Sequence, residues 1–234
     1  MTGLRLRRQS ELPTEYGERA YRSASALPII PIGEDGLTVE YAVSSPAFVA
    51  PEADVPLDEV RYHLRQQHCR GWVRYEGEAV GGVDLYRFIV PTFMTNEEFI
   101  DVMDSDSSET HRLSCALADE LESVSEDAGD YGDIVELRRI WLSPIPSVAG
   151  KSKEIVNGLI GAFCPDFSLI ALKAYPLEYE GNLPDDSPLV PAFKRRQAAL
   201  MRHYARELGV APMSGRYGRE GWMFRFHESL RDRG

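Results

Sequence analysis

Cysteine is scarce in this chain: Cys69, Cys115 and Cys164 are the only three, far apart and odd in number. Such a set argues against a disulfide framework or a Cys-based zinc site and fits a reducing cytoplasm. No apolar run approaches the ~18 residues that a membrane-spanning helix requires, so no membrane partner is expected. The N-terminal stretch MTGLRLRRQSELPTEYGERAY is basic but lacks the apolar segment of a signal peptide, which argues against export. Bases are outnumbered: 26 Lys and Arg face 37 Asp and Glu, a formal net charge of −11. That balance repels polyanions, which disfavours nucleic acid, and attracts a cationic or amine substrate. No G-x-S-x-G nucleophile elbow occurs. Gly150-Lys151-Ser152 is not a phosphate-binding P-loop, because Ile145 stands where that loop needs a glycine. His63 and His68 are five apart, do not share one helical face and imply no third ligand, so no metal site is expected.

With 234 residues, 43% of them hydrophobic and 27% charged, the chain fits a single globular domain. Residues 1–36 read as an N-terminal extension, with a short helix near 15–23. Its apolar segment LPIIPI (27–32) carries two prolines, which suit an edge or packed extended segment. The domain proper spans 37–234 and opens with LTVEYAV (37–43), which alternates as a strand. Leu57, Val60 and Leu64 form one stripe and predict a helix over 57–68. The runs 71–75 and 79–90 predict a strand pair turned at Glu76-Gly77-Glu78. Thr95 or Asn96 can cap a helix whose Glu97 and Glu98 suit its positive end, with Phe99, Val102 and Met103 facing the core. DSDSS (104–108) breaks that helix, and Leu113, Leu117 and Leu121 resume the stripe. A helical insert over about residues 95–125 follows from this pattern.

The densest signal lies in 134–177. IVELRRIWLSP reads as a strand, IPSVAGKS as a tight turn, KEIVNGLIGAF as a helix and SLIALKAY as a second strand. Such a turn aims the first, unpartnered N–H groups of a helix at one spot, where the helix dipole also favours a phosphate. This order, followed by a helix over 195–210, resembles the GCN5-related N-acetyltransferase (GNAT) fold across about residues 37–226. The family motif R/Q-x-x-G-x-G/A falls on Ser147-Val148-Ala149-Gly150-Lys151-Ser152. Gly150 matches it; Ser147 and Ser152 replace the usual residues. The last helix of the family usually carries a tyrosine four residues before a Gly-aromatic pair, whereas Tyr204 lies five before Gly209-Val210.

The resemblance implies an α/β protein with a GNAT-like central mixed, mostly antiparallel sheet of six to seven strands flanked by helices. Its motif strand and the next would splay into a wedge. It implies acetyl-CoA as acyl donor and transfer to an amine of a small molecule or protein. Ser147, Val148, Ala149, Gly150, Lys151 and Ser152 would hold the pyrophosphate, and backbone N–H groups near Leu142 and Ser143 the thioester. Glu136, eleven residues before Ser147, takes the place of a catalytic base. Arg138 follows on the same strand face and would lower the Glu136 pKa by pairing. Tyr204 takes the place of the acid that protonates the departing thiolate. Lys194, Arg195 and Arg196 offer contacts to the adenosine 3′-phosphate, and a homodimer is left open. The other reading is a catalytically inactive GNAT-fold binding or regulatory protein, favoured by Ser147, Ser152 and the shifted Tyr204. Asp101, Asp104, Asp106, Glu178, Glu180, Asp185 and Asp186 are expected to border the acceptor pocket and favour a cation.

Overall fold

The computed structural model describes residues 27–49, 63–179, 187–228 and 230. Among the described residues nine strands form one sheet. They are β1 (Ile29–Ile32), β2 (Leu37–Val43), β3 (Ala47–Phe48), β4 (Arg65–Tyr75), β5 (Glu78–Ile89), β6 (Asp133–Leu142), β7 (Phe167–Lys173), β8 (Ala211–Pro212) and β9 (Trp222–Phe226). Six α-helices accompany them in the described residues: α1 (Asn96–Asp104), α2 (Ser108–Glu120), α3 (Val124–Asp127), α4 (Ser152–Phe163), α5 (Val190–Leu208) and α6 (Gly215–Arg219). The sheet order is β1-β2-β4-β5-β6-β7-β9-β8, with β3 also on β4. Every pairing is antiparallel except β6 with β7, which α4 connects as a crossover.

The protein is thus α/β with a mostly antiparallel mixed sheet, but of nine strands among the described residues rather than six to seven. The excess comes from short pieces. β3 and β8 have two residues each, too few to show a period of two, and β1 is the proline-bearing edge segment LPIIPI. The helix expected over 57–68 is also corrected. Residues 57–62 lie outside the described residues, and from Arg65 onward the chain is β4, where Arg65 and Gln66 pair with both β3 and β5. Ladder hydrogen bonds on two sides override a three-residue apolar stripe. The helix expected over 15–23 lies outside the described residues.

Local chemistry explains the elements that position the site. Glu76 and Gly77 both take positive φ, 51° and 84°, the backbone pair that matches a two-residue hairpin turn between β4 and β5. Thr95 caps α1 through a reciprocal box: the Glu98 N–H donates to Thr95 Oγ1, and the Thr95 N–H donates to Glu98 Oε2 at 2.8 Å. Ser107 and Thr110 repeat the device on α2. Each sheet face carries its own core. On one, Val39, Val83, Leu85 and Val135 pack beneath Ile155 and Leu159 of α4. On the other, Phe88, Ile134, Leu169 and Trp222 pack against Phe99, Leu113 and Leu117 of the helical insert. With both faces covered, the first six residues of β7 are all buried.

Candidate active site

Between β5 and β6 the register passes from Asp84↔Arg139 to Leu85↔Leu137, which leaves Arg138 as the extra residue of a β-bulge. The β6–β7 register ends at Leu137↔Leu172, although β6 runs on to Leu142. The one parallel pair therefore parts at the bulge. A cleft of about 810 Å³ opens there, with Leu137 and Ile140 of β6, Leu172 and Lys173 of β7, Tyr175 and Tyr204 among its lining residues.

The Ser143 N–H donates to the Val80 carbonyl at 2.7 Å, so it points toward β5 and is engaged. Alternation along an extended strand turns the Leu142 N–H the other way, toward the open edge of β6. Of the two backbone groups expected to hold a thioester, only that of Leu142 faces the opening.

The turn after β6 does not line the cleft but leaves from its end. Val148 is buried and anchors it, while Ala149 and Gly150 are exposed and Ser147 is half-buried. Gly150 has φ of 76°, a left-handed conformation that turns the chain into α4 at no steric cost. No side chain caps α4. Lys151 Nζ is held by Glu154 at 3.1 Å. Ser152 Oγ lies 3.4 Å from His203 Nε2, and Arg206 Nη2 donates to His203 Nδ1 at 3.4 Å. The turn thus abuts α5 one residue from Tyr204. His203 and Arg206 are the polar groups beside the α4 N-terminus that motif matching missed, because they come from a different element and only packing brings them there.

Glu136 and Tyr204 do meet at one cleft, reaching it from opposite faces of the sheet. Glu136 shares its face with Ile134 and the insert, whereas Tyr204 packs on the core under α4. Glu136 is 2% exposed and accepts a hydrogen bond from Arg138 Nη2 at 2.9 Å. The expected lowering of its pKa does not prevail. Burial pushes the Glu136 carboxyl above the usual range, and the Arg138 guanidinium offsets this only in part. Burial also raises the Tyr204 phenol, whose hydroxyl makes no hydrogen bond among the described residues.

The acidic surplus of the chain is not carried into the cleft. Arg70, Arg138, Arg139 and Lys173 line it against Asp84, Asp106, Glu109 and Glu136. Asp101 and Asp104 stand apart from it, Asp104 lying 3.2 Å from His111 Nδ1. Glu178 pairs with Arg196 at 3.3 Å, which engages one member of the 194–196 cluster. Glu180, Asp185 and Asp186 lie outside the described residues. Among the described residues no three His, Cys, Asp or Glu side chains converge as metal ligands, and no helix is long and apolar enough to cross a membrane.

Comparison with protein-family models, with curated proteins and with solved structures finds no match to this chain.

Proposed function

We propose that the protein is an acyl-CoA-dependent N-acyltransferase with a GNAT-like arrangement, using acetyl-CoA to acylate an amine. The observation that carries this reading is the parting of β6 and β7 at the Arg138 bulge. It creates a slot through the sheet with an outward-facing Leu142 N–H, the glycine turn leaving from its end and an acidic and a phenolic group reaching it from opposite faces. The fit to the donor is partial. Gly150 leaves the turn open, since even a Cβ at that position would meet nothing within 4 Å, and His203 and Arg206 supply polarity where Ser147 supplies no cation.

Acetyl-CoA, when bound, would supply an activated acyl carbon: the amine nitrogen bonds to it as the C–S bond breaks, and sulfur gains the proton that nitrogen gives up. The residues of this chain act around that exchange. Glu136 takes the first proton from the incoming ammonium, directly or through one water, leaving a nitrogen lone pair. Its raised pKa makes it a better base than an ordinary carboxylate. Tyr204, kept protonated by burial, gives its hydroxyl proton to the leaving group and recovers one from the nitrogen side. The Leu142 N–H faces the developing oxyanion.

Calorimetric titration with acetyl-CoA tests the reading. Binding in the wild type and its loss in Gly150→Asp, which adds bulk and negative charge, are expected; no heat from the wild type at about millimolar concentration overturns it. Glu136→Gln and Tyr204→Phe are each expected to lower kcat about 10²-fold with CoA affinity retained. A binding or regulatory role is the second reading, favoured by the engagement of Lys151 with Glu154 and of Ser143 with Val80. Acetyl-CoA binding without turnover of any amine would select it.

A further inference from the structure

We infer that the floor of the cleft binds a carboxylate, so that the acceptor is an amino acid. The amine half of this statement rests on the acyl-transfer reading, and the carboxylate half does not. Three cross-strand rows build the floor: Trp72, Gly82 and Trp141; then Arg70, Asp84 and Arg139; then His68, Tyr86 and Glu136. Alternation along the strands puts all three rows on one face. The bulge adds Arg138 to the same face, its guanidinium 4.1 Å over the Tyr86 ring. Gly82 is required where it stands, since a Cβ there would come within 2.7 Å of Trp141 Nε1; the indole lies across the strand and walls the cleft.

The floor holds guanidinium N–H groups that have no hydrogen-bond acceptor among the described residues, although Arg70 is ion-paired with Asp84. Arg138 gives Nη2 to Glu136, and among the described residues nothing accepts from its Nη1. Arg70 makes no hydrogen bond among the described residues; its Nε lies 3.8 Å from Asp84, too far for one. On the sheet itself, leaving Arg139 aside, the cations Arg70, Arg138 and Lys173 outnumber the acids Asp84 and Glu136, and the other two acids, Asp106 and Glu109, stand exposed on the insert at the rim. A cationic floor in a chain of net charge −11 calls for an anion. Guanidinium forks match a planar carboxylate, while Glu136 and the rim acids match an ammonium. The pattern is that of a zwitterion.

The experiment measures binding, with and without acetyl-CoA, of the proteinogenic amino acids and of matched decarboxylated amines such as phenethylamine, tryptamine and cadaverine. At least one amino acid should bind about tenfold or more tightly than its amine, since only it engages the charge-assisted bonds. Arg70→Gln and Arg138→Gln should each remove that difference and leave acetyl-CoA affinity unchanged. Arg70 is partly exposed, so its variant stays informative even where Arg138→Gln, beside buried Glu136, fails to fold. The inference is overturned when no amino acid binds, when each pair binds equally, when the difference survives Arg70→Gln, or when inorganic phosphate binds more tightly than every amino acid. Amino-acid binding of this pattern without acetyl-CoA binding would retire the acyl-transfer reading and keep the carboxylate site.

Discussion

At the scale of single residues, the protein spends stability to bury Glu136. Desolvation raises its pKa above the ordinary 4.5, with Arg138 opposing. A carboxyl whose folded pKa is raised stabilises the fold below its unfolded pKa, and that contribution is lost as pH rises through the folded value. Replacing Glu136 by Gln should therefore shift the urea midpoint increasingly in the variant's favour as pH rises above the ordinary carboxylate range. A difference that stays flat over that rise would show that the carboxyl is not raised. The thiols give a second prediction. Burial pushes Cys69 and Cys164 up to about 12, so neither forms a thiolate near neutrality, whereas Cys115 is half-buried. A disulfide reagent should titrate one thiol in the native protein, Cys115, and all three in denaturant.

At the scale of elements, the approach to β6 depends on a glycine. Gly132, immediately before the strand, has φ of 148°, and a Cβ there would collide with the Asp166 carbonyl of the turn ahead of β7. Gly132→Ala should cost at least about 3 kcal/mol, measured by chemical denaturation, because backbone cannot yield as a side-chain tip can. The insert offers a contrast. Leu113 of α2 is fully buried against the sheet, so Leu113→Ala should cost about 2–5 kcal/mol and loosen the wall that carries Asp106 and Glu109. Motif residues behave differently again: Gly150 is exposed with open space around it, so its substitution should alter binding far more than stability, although its positive φ adds some strain.

For the whole molecule, two cores on one sheet place β5, β6 and β7 at the centre and β1 and β8 at the margins. Amide exchange should be slowest in the buried first part of β6 and in β7, and fast in β1, β8 and at Ile140 and Leu142, the β6 amides past the bulge that alternation turns away from β5. Protection of Ile140 and Leu142 equal to that of 134–137 would contradict the parted strands. A ligand in the cleft should slow exchange at these amides first, since the Leu142 N–H would gain its partner there.

Much of this organisation is legible in the residues. Two-residue periodicity marks β2 and β5, Glu76-Gly77 marks the hairpin, Thr95 and Glu98 mark the start of α1, and DSDSS marks its break from α2. These are local signals, each carried by a few neighbouring side chains and the φ they allow. The order strand, turn, helix, strand over 134–177 likewise stands in the structure as β6, α4 and β7. Other features depend on partners distant in sequence. Arg65 and Gln66 became strand because β3 and β5 flank them, and β3 and β8 exist only as pairings. The Arg138 bulge is a mismatch in count between two strands, which neither strand shows alone. The sign of the Glu136 shift also belongs to the tertiary structure: spacing revealed its neighbour Arg138, but only packing from both layers set the burial that outweighs it.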